Sequence, residues 1–427
     1  MQWVRIMFIL ILCGGSLLVT VAVTHAEGQP IEAPYPASRA IVDLTWAPSA
    51  TIVRKAEGSD NWPTTWADDG ELYTAYGDGW GFDPKVPEKL SLGLAKVIGP
   101  PTDFSGVNIR SPTGEQKGDG ASGKKASGML MVDGVLYMWV RNAGNSQLAW
   151  SSDHGETWAW SKWRFTTSFG YSTFLNFGKN YGGARDGYVY TYSHDNDSAY
   201  SPADRMVLAR VPKEQITHRD AYEFFAGCNA EGDPTWSKDV AKREAVFTHS
   251  GRCYRSGISY NAALKRYLWC QIIPGDDTRF EGGFGIYDAP EPWGPWTTAY
   301  FTERWDVGPG ETASFPTKWI GGDGKTLYLV FSGNDSFSVR KATLTTAIES
   351  ISYSITEGVR ITWQSVPGAS YTLYFADVPL SLSTAWNPLS TWPGTGNLME
   401  WTDDGSETNT HPADPHVRNR FYGLGER

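Results

Sequence analysis

Cysteine is scarce, with four in 427 residues. Cys13 lies in an apolar run near the start, which leaves Cys228, Cys253 and Cys270. An odd number cannot all pair within one chain. No CxxC pair and no metal-ligand spacing occurs, so neither a zinc module nor a dense disulfide scaffold is indicated. A chain this long buries enough core to need no such staple. Positive charge is also short: 37 Lys and Arg stand against 47 Asp and Glu, a net charge of −10. That argues against a general polyanion binder, and no nucleic-acid partner is expected. There is no P-loop, no dinucleotide fingerprint and no HExxH, and no cofactor is expected. Beyond residue 26 there is no apolar run of membrane-spanning length.

The first 26 residues read as a signal peptide. Arg5 is a positive start, Ile6 to Val23 is almost wholly apolar, and Thr24-His25-Ala26 ends in a small residue. Leu12 stands before Cys13 where a lipid-anchor signal wants a small residue. The expected product is secreted, or kept in the periplasm or at the cell surface. Residues 27–39 read as a linker.

Aromatics and turn formers are abundant. Phe, Trp and Tyr make up 14% of the chain, beside 46 Gly and 25 Pro. This reads as short strands and tight turns, and excludes a coiled coil or a mainly disordered chain. Asp69-Gly70-Glu71-Leu72-Tyr73 recurs as Asp133-Gly134-Val135-Leu136-Tyr137 and as Asp186-Gly187-Tyr188-Val189-Tyr190. With one insertion it recurs as Asp323-Gly324-Lys325-Thr326-Leu327-Tyr328, and Leu264 to Leu268 is a degenerate copy. Asp-Gly between apolar runs marks a hairpin turn. Gly70 and Gly324 are 254 residues and four intervals apart, a repeat of about 64 residues. Units of that size predict an all-β fold, a five-bladed β-propeller over 40–346. A six-bladed ring with one unmarked blade stays open.

Ser151 to Trp158 matches Ser-x-Asp-x-Gly-x-Thr-Trp and resembles the Asp-box of sialidase-like propellers, a structural outer turn. Asp288 to Trp296 reads as the corresponding turn two blades later. Residues 347–427 alternate polar and apolar and carry Trp386, Trp392 and Trp401. They resemble a small fibronectin type III-like β-sandwich, expected to be an accessory domain. Cys253 and Cys270 lie on two apolar runs joined by a turn, and both a bridge and two buried thiols are open.

Both strands of a hairpin rise about 3.3 Å per residue, so positions equally far from its turn share one end. Asp60 lies nine residues before Asp69, and Asp78 eight after Gly70. Both carboxylates are therefore expected at one rim. The second unit brings Lys125, Ser127, Arg141 and Asn142 there, and the third Tyr171, His194 and Asp195. The fourth brings Tyr254, Arg255 and Gln271, and the fifth Glu311, Thr312, Ser332 and Asn334. A funnel of acids, cations and aromatics suits a polyhydroxylated ligand. A register slip of one residue would move half of these to the other face.

Ser59 to Trp66 followed by Ala75 to Gly81 resembles the opening of a bacterial family long labelled as a domain of unknown function. Ser259-Tyr260-Asn261, Arg266-Tyr267-Leu268, Pro292 to Trp296 and Ser314 to Lys318 fit the same pattern, over about residues 40 to 345. That family has a five-bladed propeller and includes endo-D-arabinanases acting on mycobacterial arabinan. The resemblance implies a glycoside hydrolase that uses acids of the first blade.

Glycoside hydrolysis needs one carboxyl as acid and one carboxylate as nucleophile or base. Asp60 and Asp78 are the first pair, and Glu311 is the third catalytic candidate. Asn61, Trp62, Trp80, Arg141, Asn142, Tyr171, His194, Asp195, Tyr254, Arg255 and Gln271 are the expected substrate contacts. His194 and Asp195 are also read as orienting each other. Asp195-Asn196-Asp197 has the acid density of a Ca²⁺ site but lacks the Gly and terminal Glu of a calcium loop. The expected partner is a polysaccharide or oligosaccharide, arabinan-like on the resemblance. Two alternatives are carried. A lyase acting on a uronate polymer would use His249, Tyr254, Arg255 and Arg279, and a lectin-like propeller would need no acid. A sialidase is disfavoured, because its arginine triad and Phe/Tyr-Arg-Ile-Pro opening are not seen.

Overall fold

The computed structural model describes residues 33–346 apart from 39, most of 348–426, and the backbone of 9–12 and 16–19. Most of the expected signal peptide and linker lies outside the described residues; Ile9–Leu12 and Ser16–Val19 pair as two antiparallel strands. Among the described residues no helix is long and apolar enough to cross a membrane.

The fold is all-β, and residues 45–343 contain four sheets that make five antiparallel blades, the third and fourth joined into one sheet by the parallel pair Thr173–Asn176 and Ser256–Asn261. The first blade is Thr64–Trp66, Leu72–Tyr76, Gly93–Ile98 and Ser105–Ile109. The second is Lys125–Val132, Val135–Arg141, Gln147–Ser151 and Ala159–Arg164. The third is Thr173–Asn176, Tyr188–His194 and Ala203–Pro212, extended by Glu223–Cys228 and Pro234–Ser237, with Ala245–Cys253 also paired to its third strand. The fourth is Ser256–Asn261, Arg266–Pro274, Gly282–Ala289 and Thr297–Thr302. The fifth is Ala313–Ser314, Thr326–Phe331 and Phe337–Thr346, and the chain start supplies its outer edge: Val53–Lys55 pairs with Phe337–Val339. This pairing closes the ring. The long spacing between the third and fourth turns, which left a sixth blade open, is filled by the extra strands of the third blade.

The repeated pentad has a physical cause. In the first unit the Asp69 carboxylate accepts the Glu71 amide and the Tyr73 hydroxyl, both at 2.9 Å. In the third, Asp186 accepts the Tyr188 amide at 2.9 Å and the Tyr190 hydroxyl at 2.7 Å. The aspartate caps the turn, and the tyrosine four residues on ties the turn to the next strand. Near the axis the inner strands crowd. A Cβ on Gly257 would stand 2.3 Å from the Ala313 carbonyl oxygen, and one on Gly128 would stand 2.9 Å from Thr173 Cα. Only glycine lets neighbouring blades approach that closely.

The Asp153 turn joins the third and fourth strands of the second blade. Its carboxylate accepts the Thr157 hydroxyl at 2.5 Å, the Thr157 amide at 2.9 Å and the Ser151 hydroxyl at 2.7 Å, which together hold it down at about 2. Trp158 is buried beneath it. Asp288 is likewise buried, paired with Arg266 at 3.0 Å. Both turns are occupied by packing and hydrogen bonding. Cys228, Cys253 and Cys270 are free; Cys253 is opposite Ala203 and Cys270 opposite Gly257, so the two are not cross-strand neighbours.

The described residues of 36–44 and 344–426 form a second compact unit. It holds two three-stranded sheets, Ile348–Ser354 with Gly358–Gln364 and Leu398–Asp403, and Asn387–Pro393 with Ser370–Ala376 and Phe421–Glu426. Their core contains Ile361, Trp363, Leu373 and Trp401. Trp392 packs on Trp363 at 5.9 Å and Trp401 is buried, so neither stands out as an open sugar platform. Trp386 lies outside the described residues.

Candidate active site

The first hairpin delivers its two acids as its spacing predicts. Asp60 pairs with Gly77 across the strands, its amide donating to the Gly77 carbonyl at 2.9 Å and its carbonyl accepting the Gly77 amide at 2.7 Å. Asp78 is one residue beyond. Asn61 (φ 51°) and Asp78 (φ 42°) both adopt the left-handed conformation, which Asn and Asp tolerate better than other side-chain-bearing residues. Strain at such positions is common where function demands a particular side-chain direction.

Asp60, Asp78 and Glu311 line one cavity of about 300 Å³ with Lys89, Asp277, Thr278, Arg279 and Asp335. Burial raises the Asp60 carboxyl above its ordinary value. Lys125 and Arg141 pull it back in part, and Asp78 pushes it up further. Asn61 Nδ2 donates to Asp60, and Asn61 Oδ1 accepts from Arg141 Nη2 at 3.0 Å. Asp78 sits in a different setting. Its Oδ1 pairs with the buried Lys125 ammonium, and its Oδ2 accepts the Gly120 amide at 3.0 Å.

Glu311 reaches the cavity from the fifth blade. Ser332 Oγ accepts the amides of Glu311 and Thr312, and Thr312 Oγ1 accepts the Trp62 amide at 2.8 Å. These bonds tie the fifth blade to the chain beside Asp60. The Glu311 carboxylate pairs with Arg255 and lies 3.7 Å from Arg141 Nη2. Both arginine side chains are essentially buried, at 0% and 1% exposure. Burial, with Arg141 beside it, lowers Arg255 to about 10. Glu311 thus neutralises two buried cations, which fits an anchoring role better than proton transfer.

Tyr171 is buried under both guanidiniums, 5.8 Å from Arg141 and 5.7 Å from Arg255. Tyr200 caps them from the solvent side at 5.0 Å each. Burial alone would raise the Tyr200 phenol, but the two guanidiniums and the Asn142 amide more than offset it and lower it. Asn142 donates to the Tyr200 hydroxyl at 3.0 Å and to the Gly123 carbonyl at 2.8 Å. Tyr254 completes the aromatic shell, 4.9 Å from the Arg255 guanidinium.

Several expected contacts are corrected. Trp62 is core, 1% exposed and packed on Tyr76, Phe82 and Phe337. Trp80 is half-buried against the first blade and does not line the cavity. Gln271 is fully buried, its amide donating to the carbonyls of Arg255 and Ile272. His194 is fully buried with Nε2 on the Ser198 carbonyl at 2.6 Å, and burial lowers it to about 4. It does not orient Asp195, because successive residues of a strand point to opposite faces. Asp195 pairs instead with Arg205 at 2.7 Å and Arg243 at 2.8 Å. Those arginines occupy the acid on which a calcium reading depended. Arg141 and Arg255 are too buried to meet a substrate directly, and with Asn61 they position acids. His249 packs against Phe301 and does not line the cavity.

The expected site set omitted Lys125, Lys89, Tyr200, Asp277 and Asp335. Lys125 stands at the rim end of the second hairpin and was legible there. Tyr200 and Asp335 follow the strands by longer loops, where the equal-distance rule gives no register.

Comparisons place the chain among known sequences and structures. No curated protein is similar enough to match it. A GH43_1 enzyme from Xanthomonas citri complexed with xylose is similar in structure at 13% identity and TM-score 0.40, over 72% of this chain and 92% of that one. The catalytic domain of a Coprinopsis cinerea GH62 α-L-arabinofuranosidase is similar at 11% identity and TM-score 0.41, over 74% and 98%. The family model described as "Domain of unknown function (DUF4185)" matches residues 127–343, half of the chain. With its closed ring of sheets and matched blades, this chain belongs to the DUF4185 family.

Proposed function

We propose that this protein is a secreted glycoside hydrolase that cleaves a polysaccharide with Asp60 as general acid and Asp78 as the partner carboxylate. The observation that supports it best is the unlike setting of two acids at one end of one strand pair. Burial favours the protonated form of Asp60. Asp78 instead pairs with the Lys125 ammonium and accepts the Gly120 amide. Asp60 gives its proton to the glycosidic oxygen as that C–O bond breaks. Asp78, or a water it deprotonates, supplies the electron pair to the anomeric carbon. Asn61, bridging Asp60 and Arg141, fixes the acid's direction. The sequence resemblance makes arabinan the first substrate to try, and the leader supports export.

The test uses residues 27–427 on a panel of arabinan, xylan and a uronate polymer. Products are scored as new reducing ends and as the ultraviolet absorbance of an unsaturated uronate. Asp60→Asn and Asp78→Asn should each lower kcat by about 10²–10⁴-fold with the fold retained. The acid must be protonated to act, so the alkaline limb of kcat/KM should lie above the ordinary carboxylate range. New absorbance that survives both substitutions would sink the hydrolase reading and favour a lyase. Binding without product would favour a lectin.

A further inference from the structure

Among the described residues two aromatic side chains are exposed, Phe280 at 62% and Tyr200 at 40%. Neither lines the acid cavity, but each stands next to a group that lines it or holds a lining residue, from different blades. Tyr200 lies 3.4 Å from the Gly120 carbonyl, in the same residue whose amide holds Asp78. Phe280 belongs to the loop from Gly275 to Glu281, which leaves the second strand of the fourth blade and supplies Asp277, Thr278 and Arg279 to the cavity wall. The Phe280 ring lies 5.3 Å from the Arg279 guanidinium. The water-exposed face of such a ring beside a polar cavity is open to a ligand, and a sugar ring face is an apolar surface that it can receive.

The polar half of this wall is built from Asp277, Arg279 and Asp335. Asp277 holds Arg279 through two parallel hydrogen bonds, Nε to Oδ1 at 2.9 Å and Nη2 to Oδ2 at 2.6 Å. That fixes the plane of the fork and leaves Nη1 facing Asp335 Oδ2 at 3.6 Å. This is longer than a direct hydrogen bond. The two atoms form an ion pair, and a sugar hydroxyl beside it can accept from Nη1 and donate to Oδ2. Asp335 is itself rigidly placed: its carbonyl accepts the amides of Gly58 at 2.7 Å and Ser59 at 3.0 Å, just before Asp60. The Arg279 carbonyl accepts the Asn334 amide at 2.9 Å, which locks the two loops together.

We infer that Phe280, Arg279 and Asp335 form a sugar subsite beside the acid pair. It takes a neutral polyhydroxylated residue of the chain next to the bond cleaved, its ring face on Phe280 and one hydroxyl on the Arg279–Asp335 pair. The inference rests on the acid cavity being a carbohydrate site and adds which wall grips the neighbouring residue. These three residues bind and do not transfer protons.

The test compares wild type with Phe280→Ala, Arg279→Lys and Asp335→Asn on arabino- and xylo-oligosaccharides of two to six units. Asn keeps the positive φ of Asp335 and its carbonyl bonds, so the fold is spared. On the longest oligosaccharide cleaved, each variant should raise KM at least about fivefold while kcat changes less than about twofold. The effect should vanish on the shortest substrate still cleaved. Binding of the ladders to Asp60→Asn, read by calorimetry, should weaken in the same order when Phe280→Ala is added. Wild-type KM in all three variants, with cleavage still lost in Asp60→Asn, overturns the subsite and leaves the hydrolase reading. Binding that depends on Phe280, with no cleavage by wild type, supports the subsite and overturns the hydrolase reading. No binding and no cleavage of either ladder counts against both.

Discussion

The centre of the funnel is organised by two cations that cannot reach water. Arg141 and Arg255 are stacked between Tyr171 and Tyr200 and are balanced by one carboxylate, Glu311. Removing one partner of a buried pair leaves the other charge uncompensated. Glu311→Gln is therefore expected to cost about 3 kcal/mol of folding stability, measured by denaturant unfolding. A variant that unfolds like wild type yet loses all cleavage would instead make Glu311 a proton-transfer residue. The same cluster explains why sequence spacing placed these residues correctly but misjudged their work. Spacing says which end of a strand a side chain occupies. Neighbouring blades decide whether it meets solvent.

Turns carry the repeat. Each Asp-Gly turn is capped by its own aspartate or held by a neighbour, and the pentad's tyrosine closes the cap in the first and third units. The Asp153 turn uses the same chemistry at an outer edge, with Ser151 and Thr157 donating to its carboxylate and the Gly155 amide to the Ser151 hydroxyl. Asp153→Ala should lower stability by about 1 kcal/mol while kcat/KM is unchanged. A thermal melt beside a kinetic assay checks both halves. Loss of activity without loss of stability would contradict the structural role. Elements of this kind were legible because their hydrogen bonds are local: donor and acceptor lie within about five residues, so the pattern survives in the sequence.

At the scale of the whole molecule, the ring depends on a short strand from its beginning. Val53–Lys55 pairs with Phe337–Val339, and the Ala47 amide donates to the Lys341 carbonyl at 3.0 Å. These contacts join positions nearly 300 residues apart in sequence. A chain shortened to begin at residue 58 should lose its single cooperative thermal transition and expose the edge of the fifth blade, seen by circular dichroism and by aggregation in light scattering. A sharp melt at the wild-type temperature would show that closure contributes little.

The all-β class, the five units, the shared end of Asp60 and Asp78 and the capped turns were determined by the sequence alone. Each follows from short-range periodicity and from backbone geometry that a few residues impose. Tertiary structure decided that Trp62, His194 and Gln271 are core, because each is covered by residues distant in sequence. It decided that Arg141 and Arg255 anchor Glu311, and that Arg279 pairs with Asp335. Those contacts join different blades, and packing between blades is set by the closed ring as a whole, which no local pattern records.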